Sequence, residues 1–314
     1  MFRRAIAVVS ACLLTMPTPG REPAAPGCVL APGAAHVMVR GAVRPVPPVP
    51  SPVSSPAPSV ASPAHPPVDG RSRSRRLPLV LPVTVPTWVH VITDGRLGAP
   101  DFAVRDQITT LNIAYSGQLG GADTGIRFRL EGITRTVNPA WFRDPVTHER
   151  AIKQMRRGGP ETLNLYIAQL SELVLGYSTY PYGYRREPVL DGVVVDWRSL
   201  PGGAMRSFDR GYTGVHEIGH WLGLLHTFEK GCEAVGDGVA DTAPEGQPTE
   251  GCPQVKDTCA GGGPDPIHNF MDYSDDRCMS GFTSGQALRM QEMWVAHREP
   301  GRTLPLTGDS TEDT

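Results

Sequence analysis

Between residues 216 and 226 the chain reads His216-Glu217-Ile218-Gly219-His220-Trp221-Leu222-Gly223-Leu224-Leu225-His226. His216 and His220 are four apart, so a helix carries both imidazoles on one face, where they can share one ion. Glu217 lies beside them, placed to act on a water held by that ion. Gly223 lets the backbone leave the helix with positive φ, and His226 then comes back as a third ligand. Three neutral imidazoles suit zinc and leave a coordination position open, which marks a catalytic site rather than a structural one. An amphipathic helix with hydrogen-bonded histidines would account for one His, but not for three at this spacing with a Glu and a Gly. A purely structural zinc would leave Glu217 without a task.

The segments around this stretch read as an α/β domain of 87–300. Thr87 to Thr93 is β-branched and aromatic, and Val104, Ile108, Leu111 and Tyr115 then recur at helical spacing, predicting strand followed by amphipathic helix. Ile126, Phe128 and Leu130 alternate with charged residues as a half-exposed strand does. Leu163 to Ile167 and Val189 to Trp197 read as further strands, the last around a buried Val193-Val194-Val195. The zinc-binding pattern falls on a helix from about Gly211 to Leu225, and Thr283-x-x-Gln286 is a capping box that opens a last helix. No internal repeat is visible. The expected fold is a twisted mixed sheet with an active-site helix, then an irregular C-terminal subdomain.

The N-terminal quarter is of another kind. Arg3 and Arg4 followed by the apolar Ala5 to Leu14 read as a secretory signal over 1–20, and Cys12 sits in a loose lipidation box whose apolar lead is short. Pro17 to Pro86 holds eighteen prolines and no Phe, Tyr or Trp, so 21–86 reads as a disordered linker or pro-segment. Gly70-Arg71-Ser72-Arg73-Ser74-Arg75-Arg76 would suit a processing protease or a solvated charge run. The tail 301–314 reads as disordered. Residues 1–86 hold nine Lys/Arg against two Asp/Glu, a charge of +7, and 87–314 hold 21 against 30, a charge of −9. An acidic folded part argues against a nucleic-acid partner, and no apolar run is long enough to span a membrane.

Cys232, Cys252, Cys259 and Cys278 gather in the last third of an exported chain, where disulfides are expected; four cysteines allow three pairings. Gly236-Asp237-Gly238-Val239-Ala240-Asp241-Thr242 places carboxylates and carbonyls on a glycine-rich loop, which suits calcium, a solvated turn being the plainer reading.

The HExxHxxGxxH pattern is that of the metzincin metallopeptidases, and from about Trp88 to His297 the chain resembles their pappalysin family, closest to compact prokaryotic members. The resemblance rests on Leu175-Gly176-Tyr177-Ser178-Thr179, Asp191-Gly192-Val193-Val194-Val195, Leu200-Pro201-Gly202-Gly203, His226-Thr227-Phe228 and Asn269-Phe270-Met271-Asp272-Tyr273-Ser274-Asp275-Asp276. It implies a secreted zinc endopeptidase that hydrolyses peptide bonds with a zinc-activated water, with Glu217 as general base and acid. By the same resemblance Met271 forms a Met-turn floor beneath the zinc ligands, Tyr273 stabilises the oxyanion, Cys232 pairs with Cys259 and Cys252 with Cys278. Calcium is carried over to Asp237, Asp241 and Thr242.

Extended substrates are expected to add along the strand containing Tyr177 to Tyr180. In metzincins the chain after the Met-turn walls the pocket for the residue following the cut. Arg277 turned inward would select acidic residues there, and Asp275 or Asp276 inward would select basic ones. Cys28 is left over; its thiolate could reach the zinc and hold a zymogen latent, or remain a plain free cysteine. Protein or peptide substrates and a monomer are expected. The competing functions are an exported zinc-containing binding or adhesion module without catalysis, and a small-molecule hydrolase with the same centre.

Overall fold

The structure, a computed structural model, describes residues 82–233 and 236–300 and the backbone of 36–39. The readings made for the signal sequence with Cys12, for Cys28, for Arg71–Arg76 and for the tail lie outside these residues.

Six strands form one mixed sheet in the order β1 (His36–Val39), β5 (Val174–Ser178), β6 (Val193–Asp196), β4 (Leu163–Ala168), β2 (Val83–Thr93) and β3 (Ile126–Val137). The four strands β6, β4, β2 and β3 run parallel, β5 is antiparallel to β6, and β1 is antiparallel to β5. Between β2 and β3 runs α1 (Asp101–Tyr115), and between β3 and β4 lie the short α2 (Pro139–Arg143) and α3 (Glu149–Lys153). The helix carrying the histidine pattern is α4 (Tyr212–Trp221), and α5 (Ser284–His297) closes the domain.

Strand periodicity explains the layering. Along β4, Leu163, Leu165 and Ile167 point into a core shared with α1, α4 and α5, while Tyr166 and Ala168 point into a second core with Phe142 of α2 and Ile152 of α3. A strand buried on both faces cannot show polar alternation, which is why this one reads as a continuous apolar run. On α1, Val104, Ile108, Leu111 and Tyr115 are all buried in the first core, as their spacing predicts.

Three boundaries depart from the sequence reading. The first strand of the domain begins at Val83, four residues earlier than Thr87, because Val83 to Thr87 pair with Ile126 to Leu130. Within 21–86, taken as linker, His36–Val39 forms a strand on the edge of β5. Val189 to Trp197 yields only Val193–Asp196 as strand; Pro188–Leu190 is a 3₁₀ turn and Trp197–Ser199 is another. No helix among the described residues is long and apolar enough to cross a membrane.

Candidate active site

All ten residues of α4 are buried, with the helix wedged between the sheet and the irregular segment 222–283. The helix ends at Trp221, four residues before Leu225. Gly223 adopts φ +97°, and the Leu224 amide turns back to donate to the Gly219 carbonyl (2.9 Å). This early stop directs the chain so that His226 meets the two helical histidines.

The three imidazoles offer nitrogens that all lie within 4.8 Å of one another. His216 Nε2 and His220 Nε2 are 3.1 Å apart, close to the separation of about 3.3 Å that tetrahedral ligands at a Zn–N distance of 2.0–2.1 Å would show. The other ring nitrogens are committed: His216 Nδ1 bonds the Phe270 carbonyl (2.7 Å) and His220 Nδ1 the Leu224 carbonyl (2.8 Å). A carbonyl only accepts, so each Nδ1 carries the proton and each Nε2 turns a lone pair inward. The donor set and the tautomers of His216 and His220 fit zinc.

Glu217 is fully buried. It reaches the inner edge of the sheet at Gly176 of β5, where an added Cβ would come within 2.8 Å of Glu217 Cγ. Met271 is fully buried under the helix, and a Cβ at Gly219 would lie 2.5 Å from its sulfur. Gly219 thus admits the Met271 side chain between His216 and His220. The turn is bonded to the site on both sides, by the His216 ring to Phe270 and by the Thr227 amide donating to the Met271 carbonyl (3.2 Å). The Tyr273 ring stands 4.8 Å from that of His226 and 5.7 Å from that of His216.

Sequence reasoning missed several neighbours. Phe228 stacks on His226 at 4.4 Å, and Tyr180 meets His220 edge-on at 5.6 Å. Burial, with Tyr182 nearby, pushes the Tyr180 phenol well above its usual range, so it remains a neutral donor. Both belong to stretches already marked, His226-Thr227-Phe228 and Tyr177 to Tyr180, but nothing local says that their rings face the histidines.

The remaining marked residues fall around this centre. Cys232 is bonded to Cys259 and Cys252 to Cys278, stapling the irregular segment. Asp237 is buried, its Oδ1 accepting from the Val239 amide (2.9 Å) and its carboxylate facing the Thr242 hydroxyl. Burial raises the Asp237 carboxyl above the usual carboxylate range. Asp241 is placed otherwise: its carboxylate accepts from the Thr283 hydroxyl (2.7 Å) and the Gly285 amide (2.8 Å), at the start of α5. Arg277 is turned outward, its side chain 64% exposed and paired with Asp275 (3.3 Å). Asp276 is 1% exposed, its Oδ2 accepting from the Arg210 amide (2.7 Å) and its carboxylate also held by the Tyr212 amide.

Known proteins bear on this arrangement. The family model described as pregnancy-associated plasma protein-A, a peptidase family, matches residues 174–295. Extracellular metalloprotease 1 of Coccidioides posadasii is 42% identical over 228 residues, covering 70% of this chain and 80% of that protein. An extracellular metalloprotease of Verticillium alfalfae is 40% identical, covering 69% and 77%. Among solved structures, mature mirolysin of Tannerella forsythia in complex with a cleaved peptide superposes with a TM-score of 0.60 at 28% identity, covering 68% of this chain and 92% of that one. A promirolysin mutant gives the same TM-score at 27% identity, covering 69% and 81%.

Proposed function

The chain belongs to the pappalysin family of metallopeptidases, and on that premise we propose a secreted zinc endopeptidase in which Glu217 is general base and acid and Tyr273 stabilises the oxyanion. The observation that carries the reading is the convergence of His216, His220 and His226 beside the buried Glu217.

Bound zinc supplies Lewis acidity, polarising the scissile carbonyl and lowering the pKa of water toward about 7. The chain's own residues do the rest. The carbonyls of Phe270 and Leu224 hold the first two imidazoles in ligating tautomer and orientation. Glu217 takes the proton of the attacking water and hands it to the departing amine. Tyr273, beside His226, donates a hydrogen bond that strengthens as charge builds on the carbonyl oxygen. Met271 closes the floor with apolar surface. An extended substrate adds to β5 antiparallel, its backbone satisfying the strand edge.

Three of four finer readings have distinct support. Secretion follows the relatives named extracellular. Calcium at Asp237 and Thr242 is supported by the buried Asp237 carboxylate facing the Thr242 hydroxyl on a glycine-rich loop; the Asp241 carboxylate is engaged in capping α5. A preference for acidic residues would need Arg277 inward, but it is turned outward onto Asp275, and Asp276 is buried against the Arg210 amide, so neither side chain carries a charge preference after the cut. The segment before Val83 is read as an inhibitory pro-segment, supported by β1 lying antiparallel on the very edge where a substrate would add.

The test is digestion of a denatured protein mixture by the purified protein, cut at Arg71–Arg76 and freed of the segment, in zinc and calcium, with new termini read by mass spectrometry. Glu217→Ala should lower the rate of new termini by at least about 10²–10⁴-fold while retaining zinc. Equal cleavage by both proteins would refute the assignment; silence from both, with zinc bound, would favour the binding module.

A further inference from the structure

His216 and His220 are held by a helix, but His226 and Tyr273 stand on chain without regular secondary structure, where side-chain bonds add to the backbone bond from Thr227 to Met271. One buried carboxylate reaches both. Glu245 is fully buried, and its Oε2 accepts from the hydroxyl of Thr227 (2.6 Å), the residue after His226. Its Oε1 accepts from the Thr249 hydroxyl (3.0 Å) and from Lys256 Nζ (2.5 Å). The Thr249 amide in turn donates to Asp272 Oδ1 (2.9 Å), which also accepts from the Tyr273 amide (2.7 Å). Lys256 balances the charge, pairing as well with Asp265 (3.1 Å), which the Thr258 amide and hydroxyl anchor beside the disulfide at Cys259.

We propose that Glu245, neutralised by Lys256, is the positioning residue of the metal centre, setting His226 through Thr227 and Tyr273 through Thr249 and Asp272. A carboxylate removed from water is tolerated only when donors surround it, and here each donor is tied to a different part of the site. The ammonium of Lys256 supplies a permanent internal cation where the loop would otherwise collect uncompensated negative charge. This explains why a long irregular segment can present a ligand and a tyrosine to a helix with fixed geometry. The inference rests on His226 being a zinc ligand.

The experiment compares the intact protein with Glu245→Ala, Glu245→Gln, Thr227→Val and, as a control that removes a buried ionic partner bonded to Leu170 of the second core, Asp196→Ala. Zinc release into excess chelator, kcat and KM taken separately, and melting temperature are measured for each. Glu245→Ala and Thr227→Val should release zinc about 10–100-fold faster, with kcat falling and KM held within about threefold. Glu245→Gln should recover most of the zinc retention, since an amide oxygen still accepts from Thr227. The double variant Glu245→Ala/Thr227→Val should be little worse than either single one, as expected for residues in one chain of bonds. Should Glu245→Ala fail to fold, the near-isosteric Thr227→Val carries the comparison. Zinc release from Glu245→Ala and Thr227→Val no faster than from Asp196→Ala at matched loss of melting temperature would overturn the proposal. An unaltered protein without stoichiometric zinc would overturn it together with its premise.

Discussion

Asp276 accepts from the backbone amides of Arg210 and Tyr212, but burial outweighs these bonds and pushes its carboxyl up to about 7. Between about pH 4 and pH 7 the folded protein keeps this proton while the unfolded chain has released it. The contribution of Asp276 to stability therefore falls as pH rises through that window, by up to about 4 kcal/mol for a shift of this size, and is constant on either side. Asp276→Asn imitates the protonated form. Its stability relative to the unaltered protein, from urea unfolding, should rise from pH 4 to pH 7.5; a pH-independent difference would show that the carboxyl titrates normally. Residues like this were not legible in the sequence. The three histidines were, because they lie within eleven residues and their spacing is itself the geometry. Asp276 meets Arg210 across 66 positions and Glu245 meets Thr227 across 18, and no local pattern records such meetings.

The elements were legible to the extent that local rules govern them. The capping box at Thr283 forms as read, with the Thr283 hydroxyl accepting from the Gln286 amide and Gln286 bonding back. What the reading lacked is that Asp241, 42 residues upstream, joins the same helix start, favoured there by the amides and the dipole. The end of α4 was likewise hidden. The helical pattern runs on to Leu225, but bringing His226 back to His216 and His220 requires the helix to stop at Trp221, and Gly223 alone signals where. These placements separate the roles of the two aspartates. Thr283→Ala should cost about 1 kcal/mol, the ordinary worth of an N-cap. The rise in melting temperature produced by calcium should vanish in Asp237→Ala and survive in Asp241→Asn. Loss of the calcium effect in Asp241→Asn alone would return Asp241 to the ligand set.

At the scale of the whole molecule, the sheet has one edge with a task. Strand β5 borders the site through Gly176, beside Glu217, and its outer edge must stay open if an extended substrate is to pair there. In the full chain that edge is taken by His36–Val39, with Met38 opposite Gly176 and His36 opposite Ser178. The occupant runs antiparallel to β5, the direction also proposed for a substrate, so the two compete for one row of backbone groups. A four-residue strand makes few bonds, and its hold depends on being tethered to the domain it covers. Cutting the tether at Arg71–Arg76 should therefore free the edge. Successive N–H groups of a strand face opposite sides, so replacing two neighbours with proline must remove at least one bond to β5, whichever way the register falls. Val37→Pro/Met38→Pro should raise the activity of the intact chain at least about tenfold toward that of the cut enzyme, by loss of ladder bonding. After cleavage and purification away from the segment, the variant and the unaltered enzyme should be indistinguishable in kcat and KM. An intact, unaltered chain already as active on protein substrates as the cut one would mean that β1 does not obstruct the site, and the pro-segment reading would have to be given up.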